Sequence, residues 1–265
     1  MTGEFSTGWL SLREPADADA RAADLLEPLR TALKGRAELV IRDLGCGTGS
    51  LGRWLAPRLS GPQHWIMEDR DPALLEYAAA NLPTTAGTGA GVTVETRLGD
   101  VTELTARELA GTDLVTCSAL LDILTAAEVD ALAAACAGAR CHALLTLSVV
   151  GEVTIEPADP LDREITDAFN AHQRRVHDGR RLLGPDAADA ARRAFESAGA
   201  SVTVATSPWR LGPQRSALTA EWLDGWLAAA AEQRPDLPIE QYRARRSASD
   251  LAITVGHTDV LAIFD

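Results

Sequence analysis

Apolar residues recur along this chain in two alternating periods, one of short runs and one of helical spacing. Residues 39–43 form a brief apolar run that ends at an acidic residue and a glycine turn, and 50–59 continue at helical spacing. A second such run covers 63–69 and is followed by a helical stretch over 71–81, so a strand–helix–strand series begins here and predicts a parallel sheet. Further strands are expected over 92–97, 113–118, 142–148 and 201–206, a seventh over 249–256, and helices over 126–137 and 185–198. Leu25, Leu29 and Leu33 place one helix over 17–33, ahead of the first strand.

Two stretches break the alternation, 149–183 and 207–248, the second with a helix expected over 220–232. They read as insertions into one domain of 265 residues, preceded by a helical segment over 1–37. Composition changes this picture little: 46% hydrophobic and 24% charged residues are ordinary globular usage. Charge does more. The formal net charge is -13, and the 25 basic residues, of which only Lys34 is a lysine, read as spread along the chain, so a DNA or RNA partner is not expected. Cys46, Cys117, Cys136 and Cys141 form no CxxC pair and have no His at metal-ligand spacing, which predicts free thiols and no metal. The opening segment lacks a basic and then apolar leader, and no run reaches about 18 apolar residues, so a cytoplasmic location and no membrane partner are expected.

The first strand runs into Asp43-Leu44-Gly45-Cys46-Gly47-Thr48-Gly49. Glycines at this spacing let the backbone approach a ligand where a Cβ would clash. Gly47, Gly49 and Gly52 also satisfy GxGxxG, the dinucleotide fingerprint. Asp43 at the strand end argues against that reading, because a carboxylate repels a pyrophosphate and attracts a cationic amino group. The second strand ends at Asp69 and continues Arg70-Asp71-Pro72, where Asp71 suits the N-cap of the next helix. Leu98-Gly99-Asp100-Val101 follows the third strand, and 112–122 (TDLVTCSALLD) carries the fourth.

Taken in this order, the segments over 38–148 resemble class I S-adenosylmethionine-dependent methyltransferases, in particular bacterial small-molecule members. The resemblance implies a Rossmann-like sheet of seven strands with helices on both faces, the last strand antiparallel, and S-adenosyl-L-methionine as cofactor. It implies a cofactor site made of Asp43, Gly45, Gly47 and Gly49, of Asp69 on the ribose with Arg70 beside it, of Asp100 and Val101 at the adenine, and of Ser118 near the reacting methyl. No [ND]PP[YF] pattern follows the fourth strand; Ser118-Ala119-Leu120-Leu121 offers a mostly apolar surface instead.

With the family's strand order, ligands bind beyond the carboxyl ends of the parallel strands, so both insertions are expected to cap the cofactor, and the N-terminal segment is placed where it could close over the third side. Trp209, Arg13 and Leu121 are candidates for contact with a small-molecule acceptor. Asp122, just past the fourth strand, and His172, on the helical face of Leu161, Ile165, Phe169 and Val176, are candidates for a general base. Asp122 equally suits a helix cap, His172 a core position, and Arg13 an exposed ion pair. His257-Thr258-Asp259 reads as structural, on the face away from the ligand. The acceptor atom stays open between oxygen, nitrogen and carbon, as do two other readings: a non-catalytic methyltransferase-fold partner protein and a nicotinamide oxidoreductase.

Overall fold

The computed structural model describes residues 6–246 and 250–265. The first five residues of the expected N-terminal segment, the end of the second insertion at 247–248 and the opening Ser249 of the expected last strand lie outside the described residues.

In chain order the elements are α1 (Thr7–Ala20), α2 (Leu26–Ala32), β1 (Leu39–Leu44), α3 (Ser50–Leu55), β2 (Gln63–Asp69), α4 (Pro72–Asn81), β3 (Val92–Leu98), β4 (Leu114–Ser118), α5 (Ala126–Ala139) and β5 (His142–Glu156). Then come α6 (Asp162–Gln173), the short pair β6 (Val176–His177) and β7 (Arg180–Arg181), α7 (Ala187–Ser197), β8 (Ser201–Thr206), β9 (Trp209–Leu211), α8 (Ser216–Gln233), α9 (Ile239–Ala244) and β10 (Ala252–Ile263). The main sheet has the order β3-β2-β1-β4-β5-β10-β8, with β9 also paired to β10. Strands β1 to β5 are mutually parallel, and β10 runs antiparallel to β5, β8 and β9. This is the Rossmann-like α/β architecture expected, with one strand more than seven because β9 continues the line of β8 along β10 after Ser207 and Pro208.

Two strands outrun their sequence signals. β5 was expected to stop at Ser148 and continues to Glu156; the last strand was expected over 249–256 and lies over Ala252–Ile263. Gly256 reads as a stop in the sequence but is a bulge, where the pairing with β5 shifts register between Val255 and His257. A Cβ at Gly256 would meet Val150 Cγ2 at 2.8 Å, so the crossing of β5 requires glycine. A second register shift spans Thr258 to Val260, and the backbone amide of Leu147, released there at φ +57°, donates to Asp259 Oδ1 at 2.7 Å.

The single helix expected over 17–33 is two helices. α1 ends at Ala20, and the next free amide, that of Ala22, leaves the helix to donate to Asp259 Oδ2 at 2.8 Å. Three apolar clusters hold the layers. One, around Phe195 and Val129, lies under α5 and α7; another, around Trp65 and Leu29, under α2, α3 and α4. A third gathers Trp209, Trp226, Tyr242 and Ala16, so the two insertions pack on each other and on α1, away from the sheet's central faces.

Candidate active site

A cavity of about 370 Å³ opens beyond the carboxyl ends of β1, β2 and β4. Its floor is the loop after β1, which turns sharply because Gly45, Gly47 and Gly49 all take positive φ. Asp69 secures that loop: Oδ2 accepts from the Gly47 amide at 2.8 Å and Oδ1 from the Asp71 amide at 3.0 Å. An ionised carboxylate has about four lone-pair sites, so both oxygens can also accept from hydroxyls. Asp71 caps α4 as its spacing suggests, accepting from Ala73 and Leu74 ahead of Pro72. Asp100 Oδ1 accepts from the amide and hydroxyl of Thr102 at 2.9 and 2.8 Å, which lowers its pKa and fixes the turn after β3. Gly99 is needed beneath that turn, since a Cβ would lie 2.7 Å from Glu68 Oε1, a carboxylate already locked in a buried ion pair with Arg42.

Asp43 is the least comfortable group in the site. It is 1% exposed, its Oδ1 accepts from the Thr116 hydroxyl at 2.7 Å, and its Oδ2 has no partner among the described residues. Burial pushes its carboxyl up to about 7, against the opposing pull of the Thr116 bond and the Arg21 charge. Leaving a buried carboxylate oxygen unpaired costs free energy unless a ligand donates to it.

Of the residues placed at the cofactor by sequence, Asp43, Gly45, Gly47, Asp69, Arg70, Asp100, Val101 and Ser118 all line this cavity. Gly49 does not: it precedes α3 at φ +81°, and a Cβ there would meet Met67 Cε at 3.0 Å and Ala78 Cβ at 3.1 Å, so its role is to let the loop pass β2 and α4. Arg13 lines the cavity, but as a partner of Asp17, to which Nε and Nη2 donate at 3.0 and 3.2 Å, rather than as the exposed ion pair of the alternative.

The other acceptor-side candidates fall elsewhere. Trp209 is 3% exposed and sits beneath α1, its Nε1 donating to Asp17 Oδ1 at 2.9 Å, so it belongs to the third apolar cluster and not to the cavity wall. Leu121 is buried in the cluster under α5, while its neighbours Leu120, Ile123 and Leu124 face the cavity. His172 is not in the cavity: its Nε2 lies 3.2 Å from Glu232 Oε2 and its Nδ1 2.9 Å from Arg175, between α6 and α8. Asp122 is half-buried beside the cavity rather than among its lining residues, and burial pushes its carboxyl up to about 6.

Nor does the second insertion cap the site. Among the described residues none from 207–246 lines the cavity, and 149–183 contributes Arg180 alone. The cover is α1, through Leu10, Arg13 and Asp17; Leu10 Cδ1 reaches to 3.3 Å of where a Cβ on Gly47 would stand. Arg53 ties α1 to α3 by a bidentate pair with Glu14 at 2.7 and 2.6 Å. The opposite rim is built by Glu128, which completes the capping box of α5 with Thr125 and accepts from Arg180 Nε and Nη2 at 3.0 and 2.7 Å. Arginines are less evenly spread than their overall count suggests, with Arg174, Arg175, Arg180 and Arg181 on and beside this hairpin. Arg174 and Arg180 are paired to Asp186 and Glu128.

Asp259, read from the sequence as structural and on the face away from the ligand, is structural but differently placed. It stands level with the carboxyl end of β4 and the middle of β5, and its carboxylate joins Ala22, Leu147 and Ser207. His257 beside it is buried against Trp209, and burial holds its pKa down at about 4.

Residues 41–139 match a family described as Methyltransferase domain. The biotin biosynthesis bifunctional protein BioCD of Bordetella avium is 45% identical over 65 residues, 24% of this chain and 14% of that protein. Among solved structures, the YcgJ protein from Bacillus subtilis superposes with a TM-score of 0.50 at 12% identity, covering 92% of this chain and all of that one (100%). The cyclopropane synthase MmaA2 from Mycobacterium tuberculosis gives a TM-score of 0.50 at 12% identity, over 98% and 95% of the two chains. Residues 41–139 thus carry the match to a methyltransferase domain, and the chain around them has the Rossmann-like α/β fold of these structures.

Proposed function

We propose that this protein transfers the methyl group of S-adenosylmethionine to a small organic acceptor. The observation that carries the reading is the unpartnered Asp43 Oδ2 in the wall of a cavity that also presents Asp69 and Asp100. These carboxylates suit, in order, an ammonium, vicinal hydroxyls and an adenine amine. The same Asp43 opposes a pyrophosphate, which disfavours a nicotinamide cofactor.

The donor carries its own activation as a sulfonium, so the chain's residues orient and enclose. Asp69 holds the glycine loop while it accepts hydroxyls, Leu10 and Leu120 press on that loop from above, and α1 excludes water. Orientation of this kind contributes on the order of 7 to 11 kcal/mol to a bimolecular step. Asp122 is the nearer of the two candidate bases and would serve an acceptor that arrives protonated on oxygen, nitrogen or carbon. A small acceptor suits the enclosed cavity, and the net charge of -13 together with the paired arginines disfavours a nucleic acid. Four cysteines without disulfides fit a reducing cytoplasm, and among the described residues no helix is long and apolar enough to cross a membrane.

S-adenosylhomocysteine should bind and stabilise the fold by about 2.7 kcal/mol at a hundredfold excess over its dissociation constant, read as a thermal shift that NAD does not reproduce. Stabilisation by NAD instead would overturn the cofactor assignment. Release of S-adenosylhomocysteine from the donor across a panel of small acceptors tests catalysis, and binding without turnover on any of them would favour the non-catalytic partner protein.

A further inference from the structure

A second buried charge stands behind the wall that holds Asp43. Arg21 follows the last residue of α1, is 3% exposed, and lies with its guanidinium 5.7 Å from the Trp54 ring centroid. Its Nη2 donates to Ser50 Oγ at 3.1 Å and to Ser118 Oγ at 3.3 Å, while Nε and Nη1 have no partner among the described residues. Ser50 and Ser118 both line the cavity.

The carboxylates around Arg21 are committed elsewhere. Asp17 is held by Arg13 and Trp209, and Asp259 by Ala22, Leu147 and Ser207. A guanidinium is an anion receptor with five donors in a fixed fork, and an interior that leaves two of its nitrogens unpaired carries a desolvation cost that a ligand carboxylate removes. Asp43 lines the cavity and Arg21 stands behind its lining residues Ser50 and Ser118, so an unpaired anion and an unpaired cation on one side of the cavity match an α-amino acid in its zwitterionic form.

Resting on the methyl-donor reading, we propose that Arg21 holds the carboxylate of the donor's amino-acid end, against the Ser50 and Ser118 hydroxyls, while Asp43 holds its ammonium group. Arg21 thereby becomes the element that distinguishes the intact donor and its homocysteine product from adenosine thioethers that lack the amino acid.

Calorimetry with three ligands tests this: S-adenosylhomocysteine, its decarboxylated analogue, and 5′-methylthioadenosine, which lacks the amino-acid end. Arg21→Gln should weaken S-adenosylhomocysteine by roughly tenfold or more, the scale of a lost charge-assisted bond. It should leave the other two ligands at their wild-type affinities, and their binding shows that the variant is folded. Arg21→Lys, which keeps the charge without the fork, should recover part of the loss. If affinity for all three ligands falls together in both variants, Arg21 only supports the wall and the assignment fails; it fails equally if S-adenosylhomocysteine binds the Gln variant as tightly as the wild type. A wild-type protein that binds none of the three overturns the donor reading and this assignment with it, an outcome recognisable before any variant is made.

Discussion

At the scale of single residues, Asp43 couples the cavity to pH. Its pKa rises from 3.8 to about 7 on folding because burial penalises the charged form. The native chain therefore holds this proton more tightly than the unfolded one. The stabilising contribution is fully present below the unfolded value and is lost as pH climbs from about 4 to about 7. A cationic ligand group favours the ionised form, assisted by Arg21 and opposed by Asp69, the charges that bear on Asp43. Binding of S-adenosylhomocysteine below pH 7 should then release a proton, and affinity should rise with pH through that range. Calorimetry in two buffers of different ionisation heat measures the release. Asp43→Asn should abolish it, and the same release from that variant would move the titration to another group. His172 makes the opposite case, a residue whose helical face was legible while its surroundings were not. Because its ring is held between Arg175 and Glu232, His172→Asn should lower the melting temperature while leaving the methyl-transfer rate unchanged. A loss of ~100-fold in rate would restore it as a base.

At the scale of elements, what the sequence made legible was local. The loops at 43–49, 69–71 and 99–101 carry their cavity-lining residues next to the strand ends that present them, so a periodic pattern and a few glycines locate all three. Of the cover, only the possibility that the N-terminal segment closes the third side was legible; what holds it was not, because α1 carries Pro15 within it, has no continuous apolar stripe, and is held by partners remote in sequence: Glu14 to Arg53, Asp17 to Trp209. Trp209 reads in the sequence as a pocket residue because a buried aromatic of a core cluster has the same signature. Trp209 is the instructive one, contributing to the site at second hand by holding Asp17, which holds Arg13. Trp209→Phe keeps most of the ring and removes the Nε1 donor, leaving Asp17 one bond short. It should destabilise the fold by about 1 to 3 kcal/mol, measured by urea unfolding, and speed hydrogen exchange within α1. Exchange that quickens only in α8 would uncouple the insertion from the cover.

At the scale of the whole molecule, the sheet is closed from its middle. β10 lies between β5 and β8, and Asp259 within it joins the start of the chain, the bulge of β5 and the end of β8 at one carboxylate. During synthesis, Ala22 leaves the ribosome 237 residues ahead of Asp259. At about 5 to 20 residues per second that interval is on the order of ten to fifty seconds. In its later part, once they are made, β5 has an open edge and β8 has no strand to join, while the Arg21 wall lacks its tether and residues 43–49, 69 and 100 are already synthesised. The nascent chain can thus present a half-built cavity before the start of the chain is tethered behind it, and its aggregation-prone interval ends when a single late strand slides between two waiting neighbours.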